Sequence, residues 1–427
     1  MRSFAHYLGK DFLMSAVKEP VEITMCRICG NTTLIEIIDL GVHYLSGVFP
    51  KSPSEVVTKG PLVLVKCFSN DGCCGLVQLK HSYDLSEMYG LNYGYRSGLN
   101  TSMVQHLRSQ VGSLLEKFQF HPGSVALDIG SNDGTTLSFF PEAIFKRIGF
   151  DPTIIKFGSY YQESIEKNAD FFTKDIYDRI YKDQKVDVIT SFSMLYDLET
   201  PLQFVSDVSG ILERNGIWIF EQSYLPTMIE RNSYDTICHE HLEYYGLKQI
   251  HWMLEECKMK IIDVTFNDVN GGSFAVIAAR IDSDYAEYEN LQRLLLEEDQ
   301  LGFDSLVPFK QFVLRVQETK VELLKFLTDC KEKGLTVSCL GASTKGNVLL
   351  QFCGLGPNLI QSVGEVNPDK FGCFTPGSLI PIVNEKELLA SNPDYLIVLP
   401  WHFKSFFLNL PRGEAKLVFP LPVLEIA

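Results

Sequence analysis

The sequence predicts an α/β protein of several domains: a small cysteine-bearing module, a central parallel sheet covered on both faces, and a second α/β layer near the C-terminal end. From Val125 onward, short apolar runs bounded by Gly or Asp (VALDIG, KRIGFD, VDVITSF, GIWIFEQ) alternate with helical patterns, as buried parallel strands do. A second such series, LTVSCLGA, QSVGEVNP, DYLIVLPW and LVFPLP, occupies roughly the last 95 residues, enough for a layer of its own. The length, 427 residues, exceeds what one hydrophobic core usually serves.

Taken in order, the first stretch, MRSFAHYLGKDFLMSAVKEP, has only brief apolar patches and Asp11 within it, so it reads as a short extension rather than a signal peptide. Residues 21–80 read as short strands and turns around a cysteine cluster. Residues 81–283 open on MYGLNYGYRSGLN and an amphipathic helix over Thr101–Phe118, continue through the parallel strands, and close on a more antiparallel pair whose turn is Asn270-Gly271-Gly272. Residues 284–427 begin as a Glu-, Leu- and Lys-rich helical connector to about residue 333. The second βα series follows, with a helix at Glu385–Ala390.

Composition narrows the function classes. Hydrophobic residues at 45% and charged residues at 21% are ordinary for a globular chain. A net charge of -15 argues against nucleic acid as a partner, since that binding needs a basic face. No run of about 18 apolar residues suggests a membrane span, so a cytoplasmic protein that works as a monomer or homodimer is expected.

Cys26-Arg-Ile-Cys29-Gly30 is a knuckle, and Cys67, Cys73 and Cys74 follow it. Two cysteine pairs presented from turns suit a tetrahedral structural Zn²⁺ site of four thiolates, with Cys26, Cys29, Cys67 and Cys74 as ligands and Cys73 as the alternative fourth. A redox CxxC would want a βαβ setting that is absent here.

Val125-Ala-Leu-Asp128-Ile-Gly130-Ser-Asn132-Asp-Gly134-Thr-Thr-Leu reads as strand, glycine turn and helix. It lacks the second glycine of the dinucleotide fingerprint and is a poor seat for a pyrophosphate. Asp151 ends the next strand about 20 residues on, where an acidic side chain accepts ribose hydroxyls. The combination favours S-adenosylmethionine, which carries no phosphate. Tyr93, Asp128, Gly130, Asn132, Gly134, Asp151, Asp175 and Ser191 are its expected contacts.

Tyr234–Tyr245, YDTICHEHLEYY, places His239, Glu240 and His241 together in a chain with nine histidines. Imidazole beside carboxylate is a common way to build a base near neutral pH. The spacing is not HExxH, which would set two histidines on one helical face for a metal.

CRICG, CGLVQL, YGYRSG, DIGSNDGTTL, HEHLEYY, NGGS and GASTKGN, in this order from about residue 24 to residue 420, together resemble the nucleotide-sugar C-methyltransferases of branched deoxysugar biosynthesis. The resemblance implies an N-terminal zinc-binding module, a central Rossmann-like class I methyltransferase domain, and a C-terminal Rossmann-like domain that helps bind a nucleotide sugar. It maps the proposed base, the second histidine of HEH, to His241, with Glu240 beside it and His239 behind. The implied reaction removes a proton next to the ketone of a 4-keto sugar, at C3, and methylates that carbon. Tyr93, Tyr95, Tyr234, Tyr244 and Tyr245 are candidate donors to the enolate. Gly341-Ala-Ser343-Thr-Lys345-Gly346-Asn347 offers an anion site at a helix start, and Asn367 and Trp401 end later strands toward the same crevice. Two positions depart from the family pattern: Cys238 stands where tyrosine is frequent, and Asp197 where a histidine sometimes sits. Other readings are an O- or N-methyltransferase, which needs no carbon-acid base, and a non-catalytic nucleotide-sugar-binding protein.

Overall fold

A computed structural model describes residues 19–68, 72–89, 93–182 and 184–427. Most of the N-terminal stretch read as an extension therefore lies outside the described residues, as do parts of the 67–74 and YGLNYGYRSG loops.

The N-terminal strands are β1 (Val21–Glu22), β2 (Leu34–Tyr44), β3 (Lys59–Cys67), β4 (Val77–Leu79) and β5 (His81–Ser82), followed by the short helix α1 (Leu85–Met88). At 11 and 9 residues, β2 and β3 are longer than expected from the turn-rich sequence. The central region holds α2 (Thr101–Lys117), β6 (Ser124–Ile129), β7 (Phe145–Phe150), α3 (Ile154–Phe157), β8 (Ile165–Asn168), α4 (Lys174–Tyr181), β9 (Val186–Phe192), α5 (Pro201–Ile211) and β10 (Leu212–Ser223). It continues with α6 (Leu225–Glu230), β11 (Glu243–Tyr244), α7 (Leu247–Glu256), β12 (Met259–Asn267) and β13 (Ser273–Arg280). Two connector helices, α8 (Leu291–Gln300) and α9 (Val307–Glu332), lead to β14 (Val337–Leu340), α10 (Thr344–Phe352), β15 (Val363–Glu365), β16 (Ile382–Asn384), α11 (Glu385–Ala390), β17 (Tyr395–Val398), α12 (Lys404–Leu408), β18 (Lys416–Phe419) and β19 (Glu425–Ile426).

The central sheet has seven strands in the order β12-β13-β10-β9-β6-β7-β8. Strands β8 to β10 run parallel, and β13 and β12 add antiparallel at the other edge. All six residues of β6 are buried, which is why the run reads as continuously apolar. The C-terminal sheet, β16-β15-β14-β17-β18-β19, is parallel except at β19.

Two expectations are corrected. The glycine loop after β6 does not run into an α-helix; only a 3₁₀ turn at Leu137–Phe139 forms before Pro141. Gly134 stands at φ +77° and Phe140, the residue before Pro141, is extended at ψ 124°, so helical backbone is interrupted on both sides of the turn. The N-terminal module is also not confined to residues 21–80. Its β1 pairs with β5 (His81–Ser82), and its main sheet, β11-β4-β3-β2, takes the edge strand β11 from the middle of the chain. One face of this sheet (Ile38, Leu40, Leu62, Leu64) shares a core with Phe309, Phe312 and Val316 of α9. The cysteine end shares another with the methyltransferase strands, so the module is wedged between the larger units.

Candidate active site

The four cysteines meet. Cys26 Sγ lies 3.4 Å from Cys74 Sγ, Cys29 Sγ lies 3.5 Å from Cys67 Sγ, and all four sulfurs are within 4.8 Å of one another. A tetrahedral zinc with Zn–S near 2.3 Å needs sulfurs about 3.8 Å apart, so the set fits the ion. Hydrogen bonds from the Cys67 and Cys74 thiols pull Cys26 down to about 2, and the same contacts push those two thiols up. The backbone N–H of Leu76 and the amide of Asn31 point at Cys74 and Cys67 sulfurs, as outer-shell donors to thiolates do. Cys73 turns away and donates to the Cys67 carbonyl.

At the C-terminal ends of β6 and β7, Gly130 and Gly134 both stand at φ +77°. A Cβ at Gly130 would lie 3.1 Å from Met194, and one at Gly134 only 2.8 Å from the Tyr161 ring. Asp151 accepts from Asn132 N (2.8 Å) through one oxygen and from Thr153 N (2.6 Å) through the other. The segment before α2 lies over this loop: Ser97 N donates to Asn132 Oδ1, and Gly98 N to Asp133 Oδ2, each at 2.9 Å. Glycine backbone at one strand end and a held carboxylate at the next fit the adenosyl and ribose parts of S-adenosylmethionine. Asp128 is buried, takes the Thr190 hydroxyl at 2.6 Å, and is raised by desolvation to about 7. Tyr93 sits within electrostatic reach of both Asp151 and Asp197.

Two cofactor expectations find other places. Ser191 is fully buried and accepts from Trp218 Nε1 at 2.8 Å, because its side chain points into the core under β9 rather than out of its mouth. Asp175 is exposed in the first turn of α4, where an acid favours the positive helix end.

The HEH segment splits between neighbours. His239 is fully buried against Tyr83, edge to face with centroids 4.7 Å apart, and its Nδ1 is 3.4 Å from Ser46 Oγ. It packs in the N-terminal module, and burial lowers it to about 3. It does not line the cavity, although the sequence made it a catalytic candidate. His241 instead faces a cavity lined by Tyr196, Ser223, Met228, Thr236 and Tyr244. Its Nδ1 lies 3.0 Å from the Thr236 carbonyl. A carbonyl only accepts, so Nδ1 carries the proton and Nε2 is a bare acceptor, with no protein partner among the described residues. Burial first, then the positive charge of Lys345, lowers His241 to about 3. The Tyr196 ring packs on it at 4.4 Å.

Glu240 reaches the loop at Gly47, where an added Cβ would meet Glu240 Oε1 at 2.5 Å and Thr344 Oγ1 at 3.7 Å. Burial raises both Glu240 and Asp197, and Glu240 adds to the Asp197 shift while the Tyr89 hydroxyl opposes it. One oxygen of each carboxyl, Asp197 Oδ1 and Glu240 Oε2, lacks a partner among the described residues.

Of the tyrosines, Tyr244 donates to the Thr236 carbonyl (3.4 Å), Tyr234 contacts Cys353 Sγ, and Tyr245 is buried by the cysteine module. Tyr95 contributes its carbonyl to Asn132 Nδ2; it is not among the residues that line the cavity, although its hydroxyl stands within electrostatic reach of Tyr196. Tyr196 and Tyr89, not singled out from sequence, stand closer to His241 and Asp197. Their signal was only adjacency to known motifs.

The GASTKGN loop joins units. Ser343 caps α10 through Gly346 N, and Asn347 Nδ2 donates to Ser46 O at 2.7 Å. Lys345 Nζ donates to Asn270 O at 2.7 Å; burial lowers it below the ordinary lysine value, against the pull of Asp235 and Cys238, which favour its charge. Trp401 Nε1 donates to Asp235 Oδ2 at 2.8 Å, and Asn367 caps its own turn through Asp369 N. The polar atoms of Ser343, the Asn347 amide N–H and the Trp401 N–H are thus engaged within the protein. Lys345, assigned from sequence to an anion loop, stands within electrostatic reach of His241.

Comparison with known proteins matches this layout. Residues 26–89 match a family described as "Putative zinc binding domain", residues 103–263 one described as "Methyltransferase domain", and residues 268–422 one described as "C-methyltransferase C-terminal domain". The chain is 27% identical over 419 residues to C-methyltransferase NovU of Streptomyces niveus, covering 96% of this chain and 97% of that protein. Among solved structures, magnesium protoporphyrin IX methyltransferase of Synechocystis PCC 6803 aligns with TM-score 0.32 and 14% identity, over 42% of this chain and 79% of that one. An S-adenosylmethionine-dependent methyltransferase of Clostridium acetobutylicum aligns with TM-score 0.32 and 11% identity, over 42% and 92%. The described residues contain no helix long and apolar enough to cross a membrane. With three family matches in domain order and a relative matched along nearly its whole length, the chain belongs to the S-adenosylmethionine-dependent C-methyltransferases that carry an N-terminal zinc-binding domain.

Proposed function

We propose that this C-methyltransferase acts on a nucleotide-linked 4-keto-deoxysugar and methylates the carbon next to the ketone, at C3. The observation that carries the reading is the fixed tautomer of His241. Its Nδ1–H is tied to Thr236 O, which leaves Nε2 unprotonated on a ring that lines the cavity. A proton on carbon next to a carbonyl is weakly acidic, so a placed base and a partner for the enolate oxygen must act together.

His241 Nε2 takes the proton. Lys345, held by Asn270 O beside His241, stabilises the enolate oxygen. Negative charge developing there offsets the lysine's pull on the imidazole and makes His241 a stronger base during the step than in the free protein. Asp197 and Glu240, each with an unpartnered oxygen, accept hydrogen bonds from the sugar. Bound S-adenosylmethionine supplies the electrophilic methyl group; Gly130, Gly134, Asn132, Asp151 and Tyr93 would hold it. The N-terminal turn of α10 faces the nucleotide diphosphate with backbone N–H groups.

The test screens dTDP-, GDP- and CDP-4-keto sugars with labelled methyl donor by mass spectrometry. It also follows loss of substrate C–H in deuterated water. Wild type should exchange and methylate one carbon, and His241→Asn should lose both by roughly 10²–10⁴-fold while cofactor affinity holds. Methylation on oxygen or nitrogen with no carbon exchange would make the chain's sugar chemistry something other than this.

A further inference from the structure

Arg27, inside the Cys26–Cys29 knuckle, is the buried link between the metal-binding cysteines and the HEH segment. Its side chain is 3% exposed, and its Nε lies 3.5 Å from Glu243 Oε1, whose side chain is fully buried. Nη1 donates to Leu79 O at 2.7 Å, Nη2 to Ser82 Oγ at 3.0 Å, and the backbone N–H to Gln78 Oε1 at 3.1 Å. Among the described residues no other cation forms a salt bridge with Glu243.

Gln78 and Leu79 on β4 and Glu243 on β11 sit on adjacent strands, while Ser82 belongs to β5. Gln78 pairs with Glu243 and Val77 with Tyr244 between β4 and β11, and Leu79 N donates to Leu242 O at 2.8 Å. Leu242 N in turn donates to Tyr196 O at 2.7 Å, and the Tyr196 ring packs on His241. On the far side of β11, Gln249 Nε2 donates to the carbonyl of Cys74, itself one of the four clustered cysteines. Glu243 is two residues from His241, so a guanidinium hydrogen-bonded to Leu79 O on β4 and in charge contact with Glu243 on β11 ties the strand that carries the imidazole to the knuckle. A lysine could not reproduce this, having one point charge where the planar fork reaches several acceptors.

We infer that Arg27 is a positioning residue for His241, through which the cysteine knuckle sets the place and tautomer of the base. The inference rests on the reading of His241 as the base only for its effect on turnover; the geometric part stands alone.

The test uses full-length, zinc-loaded protein with ¹⁵N-labelled histidine, comparing wild type, Arg27→Met, Arg27→Lys and Glu243→Gln. The ring N–H of His241 is assigned by its absence in His241→Gln. Arg27→Met should lose or broaden that signal, leave S-adenosylmethionine affinity by calorimetry within about twofold, and lower kcat by roughly a hundredfold. Arg27→Lys should restore the signal only in part. Should Arg27→Met fail to fold, Glu243→Gln, which keeps the side-chain volume, carries the same comparison. A His241 signal unchanged in Glu243→Gln and in whichever Arg27 variants fold would overturn the inference. Normal turnover by His241→Asn would sink the base assignment instead, leaving the signal to decide the role of Arg27.

Discussion

His241 and Asp128 are two buried groups displaced in opposite senses, and each sets a measurable pH behaviour. His241 is lowered to about 3 by burial and by Lys345. Its ring should therefore remain neutral, with the proton on Nδ1, from pH 8 down to about 4. Ring ¹⁵N shifts followed across that range check this, and a midpoint near 6.5 would contradict it. Asp128 is raised to about 7 by desolvation, against the hydrogen bond from Thr190. For a carboxyl raised on folding, the native state binds the proton more tightly than the unfolded chain. Its ionisation therefore costs stability progressively as pH rises from about 4 to about 7, and the cost is complete above that. Asp128→Asn removes the cost, so without cofactor the variant should be more stable than wild type at pH 8, by on the order of 2 kcal/mol. The gap should close toward pH 4, as urea unfolding at several pH values would show. If Asp128 also meets the cofactor's amine, the variant binds S-adenosylmethionine more weakly.

At the scale of elements, the glycine loop depends on backbone freedom more than on side chains. Gly134 combines φ +77° with a Tyr161 ring 2.8 Å from where a Cβ would stand. Gly134→Ala therefore adds left-handed strain and a clash with a ring that is itself fixed through Ser131 Oγ (2.7 Å). A loss of about 1–3 kcal/mol in thermal or urea melts is expected, with weaker cofactor binding. Gly30, also at positive φ but with open space around it, is the contrasting position: alanine there meets backbone strain alone. The helix that fails to form after Gly134 follows from the same loop. A positive-φ glycine on one side and an extended Phe140 before Pro141 on the other leave only a 3₁₀ turn between them.

Across the whole molecule the surroundings of the HEH segment come from three units. Gly47 of the N-terminal module meets Glu240, Tyr196 of the turn after β9 packs on His241, and Lys345 of the C-terminal unit reaches Asn270 O, with its charge felt at His241. Strand β11 ties them, since it belongs to the cysteine module's sheet although it lies about 200 residues downstream of β2 in sequence. Stripping zinc with a chelator should thus disorganise more than the knuckle. Limited proteolysis is expected to cut first between residues 22 and 80 and then near residue 240, with methyl transfer lost, while the seven-stranded sheet keeps its far-UV signal. Simultaneous loss of all structure would mean the central domain depends on the metal as well.

Local patterns carried much of this architecture. Largely apolar runs marked the parallel strands of both sheets, Asn270-Gly271-Gly272 marked the turn between β12 and β13, and the knuckle spacing marked a thiolate set. Asp151 just after β7 was likewise legible, because strand-end position follows from apolar run length. Which neighbours share a space is set by the packing of the units. His239 and His241 are two residues apart and chemically identical, yet one packs on Tyr83 in the module and the other on Tyr196 in the cavity. Ser191 turned inward to Trp218, and Lys345 crossed to Asn270 beside the base. Side-chain direction at a turn, and contacts between residues hundreds of positions apart, depend on how sheets dock. That information lies in packing between units rather than in the periodicity of any one of them.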